Sequence, residues 1–384
     1  MRLLAVAGEY SGDTHGGALL RGLAQHLPGL EVSGIGGPAM TAAGLTPLYP
    51  FSALQVHGLV EVLRHLPRLY RLLWSLERRL REHAPDALLL IDYPGFNLKL
   101  ARAAKRLGIP VLFYSSPQVW AWRRGRIAQI AAAVDKLFVL FPFEVPLYEA
   151  AGVDVEFHGH PLVERQADAA AVAAVRAALP PDDGIPLIAL MPGSRGSELR
   201  RNLPGILAGV ALAQAQGLRA RYVLPLAEGL DQAAAEAMIA RSGLAATLLP
   251  GAFLPVLQLA DLAVVASGTA TLQVAMAGIP FIVVYRVSPL TYALARRMAY
   301  VQHLSIVNIM AGREIVPELV QEAFTPQRLG RTLLALAGDP ARQAQMREAL
   351  ADTTGRLGAP GAYERTAAAM AAYLRQRPAR QATG

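Results

Sequence analysis

The residue of this chain best placed to do chemistry is a carboxylate that follows a short apolar run. Asp92 comes directly after the run 88–91, and ligands of open α/β sheets bind beyond the carboxyl ends of such strands. Within hydrogen-bond reach of a hydroxyl group, Asp92 can act as a general base. The residue types leave a second interpretation equally open, in which Asp92 turns the chain or caps a helix that begins near Asn97.

A second polar loop follows the first apolar run, 2–7, and precedes a helical pattern at 15–26. Its sequence is Gly-Glu-Tyr-Ser-Gly-Asp. Glycine lets the backbone approach a ligand closely, and a helix N-terminus favours anions. The Gly-x-Gly-x-x-Gly spacing of a dinucleotide site is absent, so the loop can equally be a simple helix cap. Its candidate ligand contacts are Glu9, Ser11, Gly12 and Asp13.

Two Gly/Ser-rich loops in the second half of the chain are suited to phosphate groups. Each follows an apolar run and precedes a helical pattern, so that backbone N–H groups and the helix dipole can hold an anion. Arg195 adds a planar guanidinium that can bond two diphosphate oxygens, and its effect grows as charge develops on a departing nucleotide. The candidate residues of these loops are Gly193, Ser194, Arg195, Ser267, Gly268, Thr269 and Thr271.

The composition excludes several kinds of site. The chain has no Cys, which excludes disulfides, thiolate metal sites and a cysteine nucleophile. Its net charge of +8 suits anionic lipid or phosphorylated small molecules, and no nucleic-acid-binding signature accompanies it. His158 and His160 form a His-x-His pair without a carboxylate cluster, so we expect a hinge or cleft-lining role rather than a metal site. We predict no metal and no cofactor.

Short apolar runs alternate with helical patterns along the whole chain. Most runs are continuous rather than alternating, as in parallel strands that are buried on both faces. The order predicts an α/β fold with two Rossmann-like, doubly wound domains facing an interdomain cleft. Strands are predicted at 2–7, 87–91, 111–114, 137–141, 187–191, 221–224, 262–266 and 280–284. Helices are predicted at 15–26, 59–83, 97–107, 123–132, 202–216, 231–242, 270–277 and 289–300.

A change in composition near 160–185 marks a domain boundary, since an Ala-rich stretch and a Pro-Pro-Asp-Asp-Gly segment lie there. We therefore predict an N-terminal domain at 1–165, a C-terminal domain at 166–340, and a helical tail at 341–384 that packs on either domain.

The stretch 59–83 predicts an amphipathic helix with Leu on one face, Arg on the other and a kink at Pro67. Either this helix covers the core with a solvated Arg face, or it lies in a membrane interface. The segment 292–300 is a second candidate for membrane contact. No apolar run approaches about 18 residues, and the first residues fit a buried strand better than a signal peptide. We therefore expect a cytoplasmic protein.

Eight short sequence blocks occur in the same order as in the lipid-A-disaccharide synthase family, which the chain therefore resembles. This family consists of inverting glycosyltransferases of the two-Rossmann-domain (GT-B) architecture. The resemblance covers about 3–325, and its most specific blocks are Trp-Ala-Trp-Arg and Asn-x-x-Ala-Gly-Arg-Glu. The blocks are 8–13, 91–97, 116–123, 141–144, 157–161, 192–195, 267–270 and 308–314.

The resemblance implies an activity and residue roles. The chain would transfer 2,3-diacylglucosamine from its UDP donor to 2,3-diacylglucosamine 1-phosphate, giving UDP and a β-1,6 disaccharide for lipid A. Asp92 would be the general base on the acceptor 6-hydroxyl, Arg195 would bind the diphosphate, and Asn308 would hold the nucleotide-sugar, without a metal. The first-domain loop, Asn97, Gln118 and Trp120 would line the acceptor side. Acylated substrates imply peripheral association with an anionic inner-membrane surface.

One position departs from the family pattern. In the helix after block 267–270 the family usually carries Glu, where this chain has Gln273. Gln can bond a ribose hydroxyl, but without charge assistance. Two other functions stay open: a UDP-N-acetylglucosamine 2-epimerase of similar architecture, and a non-catalytic nucleotide-sugar or lipid-binding protein, which only Gln273 favours.

Overall fold

The computed structural model describes residues 1–55, 59–117, 119–120, 125–288, 292, 297 and 302–376, with side chains of the helix at 59–83 described from residue 66 onward. The chain forms two compact units. Unit 1 is Met1–Glu164 together with Leu357–Gly384, and unit 2 is Arg165–Arg356. The first part of the expected tail, up to Arg356, thus groups with unit 2, and the chain returns to unit 1 at Leu357.

Unit 1 contains, within its described residues, a parallel sheet of seven strands in the order β3-β2-β1-β4-β5-β6-β7. The strands are β1 Arg2–Ala7, β2 Glu31–Ile35, β3 Leu45–Pro47, β4 Ala87–Ile91, β5 Val111–Tyr114, β6 Lys136–Val139 and β7 Val155–Phe157. The chain runs outward from β1 to β3, and from β4 onward it runs in the opposite direction. The order of the strands therefore reverses between β1 and β4.

Helices cover both faces of this sheet. They are α1 Tyr10–His26, α2 Pro38–Ala42, α3 Leu59–His83, α4 Pro94–Arg106, α5 Arg126–Ala133 and α6 Val145–Glu149. Successive residues of β4 pack into opposite core layers, Leu88 and Leu90 into one and Leu89 and Ile91 into the other. Because both faces are buried, the strand reads as a continuous apolar run, as predicted.

Unit 2 contains a parallel sheet in the order β10-β9-β8-β11-β12-β13 within its described residues. The strands are β8 Leu187–Met191, β9 Arg221–Leu226, β10 Ala246–Pro250, β11 Leu262–Ala266, β12 Phe281–Tyr285 and β13 Glu318–Val320. The helices are α7 Ala169–Ala178, α8 Gly196–Ala215, α9 Gln232–Ser242, α10 Phe253–Leu257, α11 Thr269–Met276, α12 Ile306–Ala311, α13 Pro326–Ala337 and α14 Pro340–Gly355. The strand order reverses between β8 and β11. The predicted α/β class with two doubly wound sheets is confirmed.

The last helix in the described part of the chain packs on unit 1. This helix, α15 Ala362–Arg375, buries Ala367, Met370 and Leu374 in the core layer that also contains Leu19 and Leu23 of α1. Glu164 accepts hydrogen bonds from the N–H groups at the start of α15, including Ala362 at 2.7 Å. The terminal helix is thus part of the unit 1 core.

The amphipathic stretch 59–83 is a helix, α3, that continues through Pro67. Leu73, Leu76 and Leu80 are buried in the core of unit 1, whereas Tyr70 is 42% exposed and Trp74 65% exposed. The Leu face therefore covers the core. No helix in the described part of the chain is long and apolar enough to cross a bilayer, and of the second membrane candidate only 292 and 297 lie within the described residues.

Candidate active site

The two polar loops of unit 1 flank the point at which its strand order reverses. Ala7 at the end of β1 is paired with Ile91 at the end of β4, so Glu9 and Asp92 follow neighbouring strand ends. In doubly wound sheets this switch point opens a crevice that binds ligands. The structure thus brings together Glu9 and Asp92, two of the carboxylates that the sequence singled out.

Asp92 sits in a backbone turn that is rare for residues with a side chain. Its φ is +50° and that of Tyr93 is +48°, and two consecutive left-handed residues store strain of a kind common at functional sites. Burial, followed by the negative charge of Glu9, raises the pKa of Asp92 from 3.8 to about 6. At neutral pH the carboxylate is therefore ionised, yet it is more basic than a free aspartate.

Interactions on either side fix this turn. The side-chain amide of Asn97 donates to the carbonyl oxygen of Asp92 at 2.7 Å, and the N–H of Asp92 donates to the carbonyl of Tyr114 at 2.9 Å. Gly8 leaves room for the ring of Tyr93, which a Cβ at that position would meet at 2.5 Å. Asn97 is buried, and it acts on the backbone of the turn.

The loop at 8–13 divides into exposed and structural residues. Glu9 and Ser11 are exposed, and Gly12 is buried. Asp13 is 3% exposed, and its carboxylate accepts hydrogen bonds from three N–H groups at the start of α2, including Gly37 at 2.7 Å. The expected ligand contact by Asp13 is therefore replaced by an anchoring role, because both of its oxygens are already bonded within the protein.

The remaining acceptor-side candidates follow β5. Gln118 lies outside the described residues. Trp120 is half-buried, and its indole N–H donates to Glu144 at 3.2 Å. Glu144 is a buried carboxylate that the sequence placed only within a matching block, without a role. Its one visible signal was an acidic residue in an otherwise apolar segment after β6.

The Gly/Ser-rich loop after β8 carries Arg195 at the start of α8. The guanidinium is 78% exposed and contacts Glu198 at 3.2 Å. The other carboxylate oxygen of Glu198 accepts from the N–H groups of Ser194 at 3.0 Å and Arg195 at 3.4 Å. Gly193 has φ +119° and leaves room for the Glu198 side chain. The predicted anion donors are therefore present, and in this structure they are bonded to Glu198.

The second Gly/Ser-rich loop follows β11, the strand next to β8. The two loops therefore flank the switch point of unit 2 on either side. Gly268 and Thr269 are exposed and Ser267 and Gln273 are half-buried. Thr271 is fully buried, and its hydroxyl donates to the carbonyl of Gly268 at 2.7 Å. The expected ligand contact by Thr271 is thus replaced by a hydrogen bond that shapes the turn.

Asn308 is also fully buried. Its amide nitrogen donates to the carbonyl of Val316 at 2.9 Å and to Glu318 at 2.8 Å. Its oxygen accepts from the N–H groups of Ile315 and Val316. Because every hydrogen-bonding group of the side chain is used within the protein, Asn308 holds the segment before β13 in place and does not present itself to a ligand.

The two histidines near the end of β7 are bonded within unit 1. His158 Nε2 lies 2.6 Å from Glu156, and His160 accepts from the N–H of Leu162 at 3.1 Å. Burial, followed by the charge of His15, lowers the pKa of His160 to about 4, so its ring is neutral at physiological pH. In the described ranges no three His, Cys, Asp or Glu side chains are grouped so as to hold a metal ion.

Comparison with known proteins gives a family and a fold. A model of the family described as Lipid-A-disaccharide synthetase matches residues 3–372. A lipid-A-disaccharide synthase from Geobacter metallireducens is 42% identical over 366 residues, 95% of each chain. One from Syntrophotalea carbinolica is 39% identical over 381 residues, 99% of this chain and 97% of the other.

Solved structures with a similar fold include two functional classes. A UDP-GlcNAc 2-epimerase from Neisseria meningitidis bound to UDP-GlcNAc has a TM-score of 0.59 and 13% identity, covering 98% of this chain and all of the other. MurG from Acinetobacter baumannii has a TM-score of 0.57 and 16% identity, covering 98% and 99%. At such low identity these likenesses establish the fold alone.

Proposed function

The chain belongs to the lipid-A-disaccharide synthase family, and on that premise we propose that it joins two acylated glucosamine units. The donor is UDP-2,3-diacylglucosamine, the acceptor is 2,3-diacylglucosamine 1-phosphate, and the products are UDP and a β-1,6-linked disaccharide 1-phosphate. The family match extends over 3–372, whereas the epimerases share only the fold, so the epimerase alternative is not favoured. The enzyme is a UDP-sugar-dependent hexosyltransferase.

The observation that carries this proposal is the half-buried carboxylate of Asp92 at the switch point of unit 1. With its pKa raised to about 6, it is ionised at pH 7 and basic enough to remove a hydroxyl proton in the transition state. Asp92 accepts the proton of the acceptor 6-hydroxyl as that oxygen bonds to the anomeric carbon of the donor. The bond from this carbon to the UDP oxygen breaks on the opposite face, so the anomeric configuration inverts.

Arg195 supplies the stabilisation of the leaving group. The Arg195 side chain is 78% exposed, whereas Glu198 is 13% exposed and keeps the N–H groups of Ser194 and Arg195 as partners without the guanidinium. Ion pairs whose cation is in water contribute only about 0–1 kcal/mol. Charge-assisted hydrogen bonds to a diphosphate contribute about 1.5–3 kcal/mol each. The guanidinium therefore gains by leaving Glu198 for the UDP diphosphate, where negative charge grows as the bond breaks.

The other donor-side candidates take two kinds of role. Gly193, Ser194, Ser267, Gly268 and Thr269 lie in the loops that present N–H and hydroxyl groups at the starts of α8 and α11. Gln273, one turn into α11, is proposed to contact the ribose. Thr271 and Asn308 act indirectly, since they hold these loops and the neighbouring segment through the internal hydrogen bonds described above.

An apolar groove beside Asp92 supports acylated substrates. It has a volume of about 270 Å³ and lies between α3 and α4, and Tyr93, the residue after Asp92, belongs to its lining. Each methylene buried there contributes about 0.8 kcal/mol. The apolar and basic residues that line it are Leu66, Leu69, Leu73, Phe96 and Lys99. Acyl chains of the acceptor are proposed to enter this groove.

The exposed side of α3 supports a peripheral membrane contact on the cytoplasmic face of the inner membrane. Tyr70 and Trp74 are one turn apart and exposed, and Arg71 and Arg78 are exposed beside them. Aromatic rings and arginines together suit the interface of an anionic bilayer. This surface, rather than the buried Leu face, is the proposed contact.

The proposed function is tested by supplying the purified chain with both acylated substrates and analysing the products by mass spectrometry. We expect one disaccharide 1-phosphate for each UDP released, and no product when either substrate is omitted. UDP-N-acetylglucosamine alone serves as the control for the alternative. Its conversion to the 2-epimer, without disaccharide from the acylated pair, would refute the transferase proposal.

A further inference from the structure

Unit 1 buries a carboxylate that the proposed reaction does not use. Glu144 is 2% exposed, and no ion pair within the described residues involves it. Its Oε1 accepts from the hydroxyl of Ser116 at 2.7 Å and the indole N–H of Trp120 at 3.2 Å. Its Oε2 accepts from the N–H of Phe141 at 3.1 Å. Burying a carboxylate costs several kcal/mol, so an acid held only by neutral donors calls for a functional reason.

Glu144 connects two loops that lie, like Asp92, at the carboxyl ends of the strands of unit 1. Ser116 and Trp120 follow β5, and Glu144 follows β6. Neighbouring strands lie about 4.8 Å apart, which places the end of β6 about 10 Å from the end of β4. The N–H of Asp92 itself donates to Tyr114, the last residue of β5. Glu144 and its partners Ser116 and Trp120 therefore lie one to two strands from the proposed base, Asp92.

The loops that Glu144 joins carry a continuous row of aromatic rings. Trp120 packs edge-on against Phe143 at 5.3 Å between centroids, Phe143 stacks on Phe141 at 5.5 Å, and Phe141 lies 5.1 Å from His160. Trp120, Phe141 and Phe143 are half-buried. Since the only polar atom of the indole is bonded to Glu144, the part of Trp120 that remains for a ligand is its apolar ring.

We infer that Glu144 is a positioning residue for the acceptor, whose buried carboxylate holds Trp120, Phe141 and Phe143 as an aromatic wall against the acceptor sugar ring. The C–H face of a pyranose is apolar and packs on aromatic rings, while its hydroxyls stay free for the base. The inference rests on the proposed function, because it assigns the wall to the acceptor of that reaction.

The carboxylate form of Glu144 is needed because each of its oxygens faces an N–H group that can only donate, that of Trp120 at Oε1 and that of Phe141 at Oε2. In Glu144→Gln the amide oxygen can still accept from Ser116 and Trp120, but the NH₂ group faces the N–H of Phe141. Losing one charge-assisted hydrogen bond corresponds to about a tenfold rise in the KM for the acceptor. The KM for the UDP donor is expected to stay within about twofold, since the groups that hydrogen-bond Glu144 belong to unit 1.

The pH dependence separates this role from a purely structural one. Burial raises the pKa of Glu144 to about 7, so protonation below that pH weakens the bonds that its oxygens accept from Trp120 and Phe141 and raises the acceptor KM of the wild type. Close by, burial raises the pKa of Tyr148 and lowers that of His160 to about 4, so neither changes charge between pH 5 and 9. The pKa of Asp92 is about 6, and its protonation is expected to change kcat rather than the acceptor KM. The Gln variant should lose the pH dependence of the acceptor KM.

Two further variants keep the test decisive. Trp120→Phe retains an aromatic ring but removes the N–H, and it should raise the acceptor KM with no further rise when combined with Glu144→Gln. Asp135→Asn is the matched control. Asp135 accepts from the N–H of Val111 at 2.9 Å, and both residues lie at the amino ends of strands in the same sheet. This variant should change thermal stability without changing the acceptor KM.

Unchanged kinetics in both Glu144→Gln and Trp120→Phe, with an active wild type, would overturn the inference. A second contradicting result is that Glu144→Gln changes the kinetic constants for donor and acceptor in proportion, with the same change in Asp135→Asn. That result would also overturn the inference, because it would show a structural role only. A wild type that forms no disaccharide would instead refute the proposed function.

Discussion

Replacing Asp92 by Asn is the most informative single change, because it removes the charge and little else. Asp92 has φ +50°, a conformation that Asn adopts more readily than other residues with a Cβ. Asp92→Ala would add backbone strain of about 1–2 kcal/mol at the same position. The Asn side chain also preserves the volume at the strand end, so a loss of turnover in this variant reports on the proton acceptor.

The expected loss in kcat is about 10²–10⁴-fold, the usual contribution of a general base. This corresponds to about 3–5 kcal/mol of transition-state stabilisation. UDP affinity should be unchanged, since Arg195 and the loops of α8 and α11 belong to unit 2.

Stability should change in the opposite direction to activity. The pKa of Asp92 is raised from 3.8 to about 6 in the folded chain, so its ionised form is less favourable folded than unfolded. The destabilisation is absent below about pH 4 and complete above about pH 6, where it is on the order of 2–3 kcal/mol. Asp92→Asn should therefore unfold at a higher denaturant concentration than the wild type at pH 7, and the difference should disappear as the pH falls to 4.

The assay is a pH–rate profile of kcat for the wild type, Asp92→Asn and Glu9→Gln. The wild-type rate should fall about tenfold per unit on the acid side of the Asp92 titration in the substrate complex, and the Asn variant should lack this limb. Glu9→Gln removes the negative charge that raises the pKa of Asp92, so its limb should move to lower pH. Turnover of Asp92→Asn within about threefold of the wild type would refute the base assignment, as would an equal loss in the Asp135→Asn control.

Three further experiments test the donor side and the membrane surface. Arg195→Ala should weaken UDP binding by about tenfold or more in calorimetry, and Arg195→Lys should restore only part, because Lys lacks the two-pronged fork; unchanged affinity in the Ala variant would remove Arg195 from the diphosphate site. Gln273→Glu should tighten donor binding several-fold through a charge-assisted bond of about 1 kcal/mol to the ribose, and weaker binding would contradict the ribose assignment. Trp74→Ser should reduce co-sedimentation with anionic vesicles at unchanged circular dichroism, whereas Leu76→Ser, a fully buried position, should lose about 2–5 kcal/mol of stability; undiminished sedimentation of the Trp74 variant would retire α3 as the membrane contact.

The central strands of both sheets could be predicted because each is buried on both faces. Runs such as 187–191 and 262–266 contain only apolar residues, and the structure has β8 and β11 at these bounds. Several strands at or next to the sheet edges were missed for other reasons. β2 Glu31–Ile35 contains Glu, Ser and Gly, and β3, β7 and β13 have only three residues each, so neither composition nor length distinguishes them from loops.

The position of the candidate site could be predicted from the strand ends. The hydrogen-bond partners of each side chain could not. Asp13 and Asn308 carry the residue types of ligand contacts, yet their partners are backbone groups such as Gly37 and Val316. Such bonds arise only when distant segments meet in the folded chain. The same holds for Glu144, two of whose donors, Ser116 and Trp120, come from a loop 24 to 28 residues earlier in the sequence.

The central claim is tested most directly by the stereochemistry of the product. The donor is labelled with ¹³C at its anomeric carbon, the purified wild type is supplied with the acceptor, and the one-bond carbon–proton coupling of the labelled centre is measured by NMR. An inverting transfer to the acceptor 6-hydroxyl predicts a β linkage at that oxygen, with one UDP released for each disaccharide formed. An α linkage, a linkage to another hydroxyl, or UDP release without disaccharide would contradict the account.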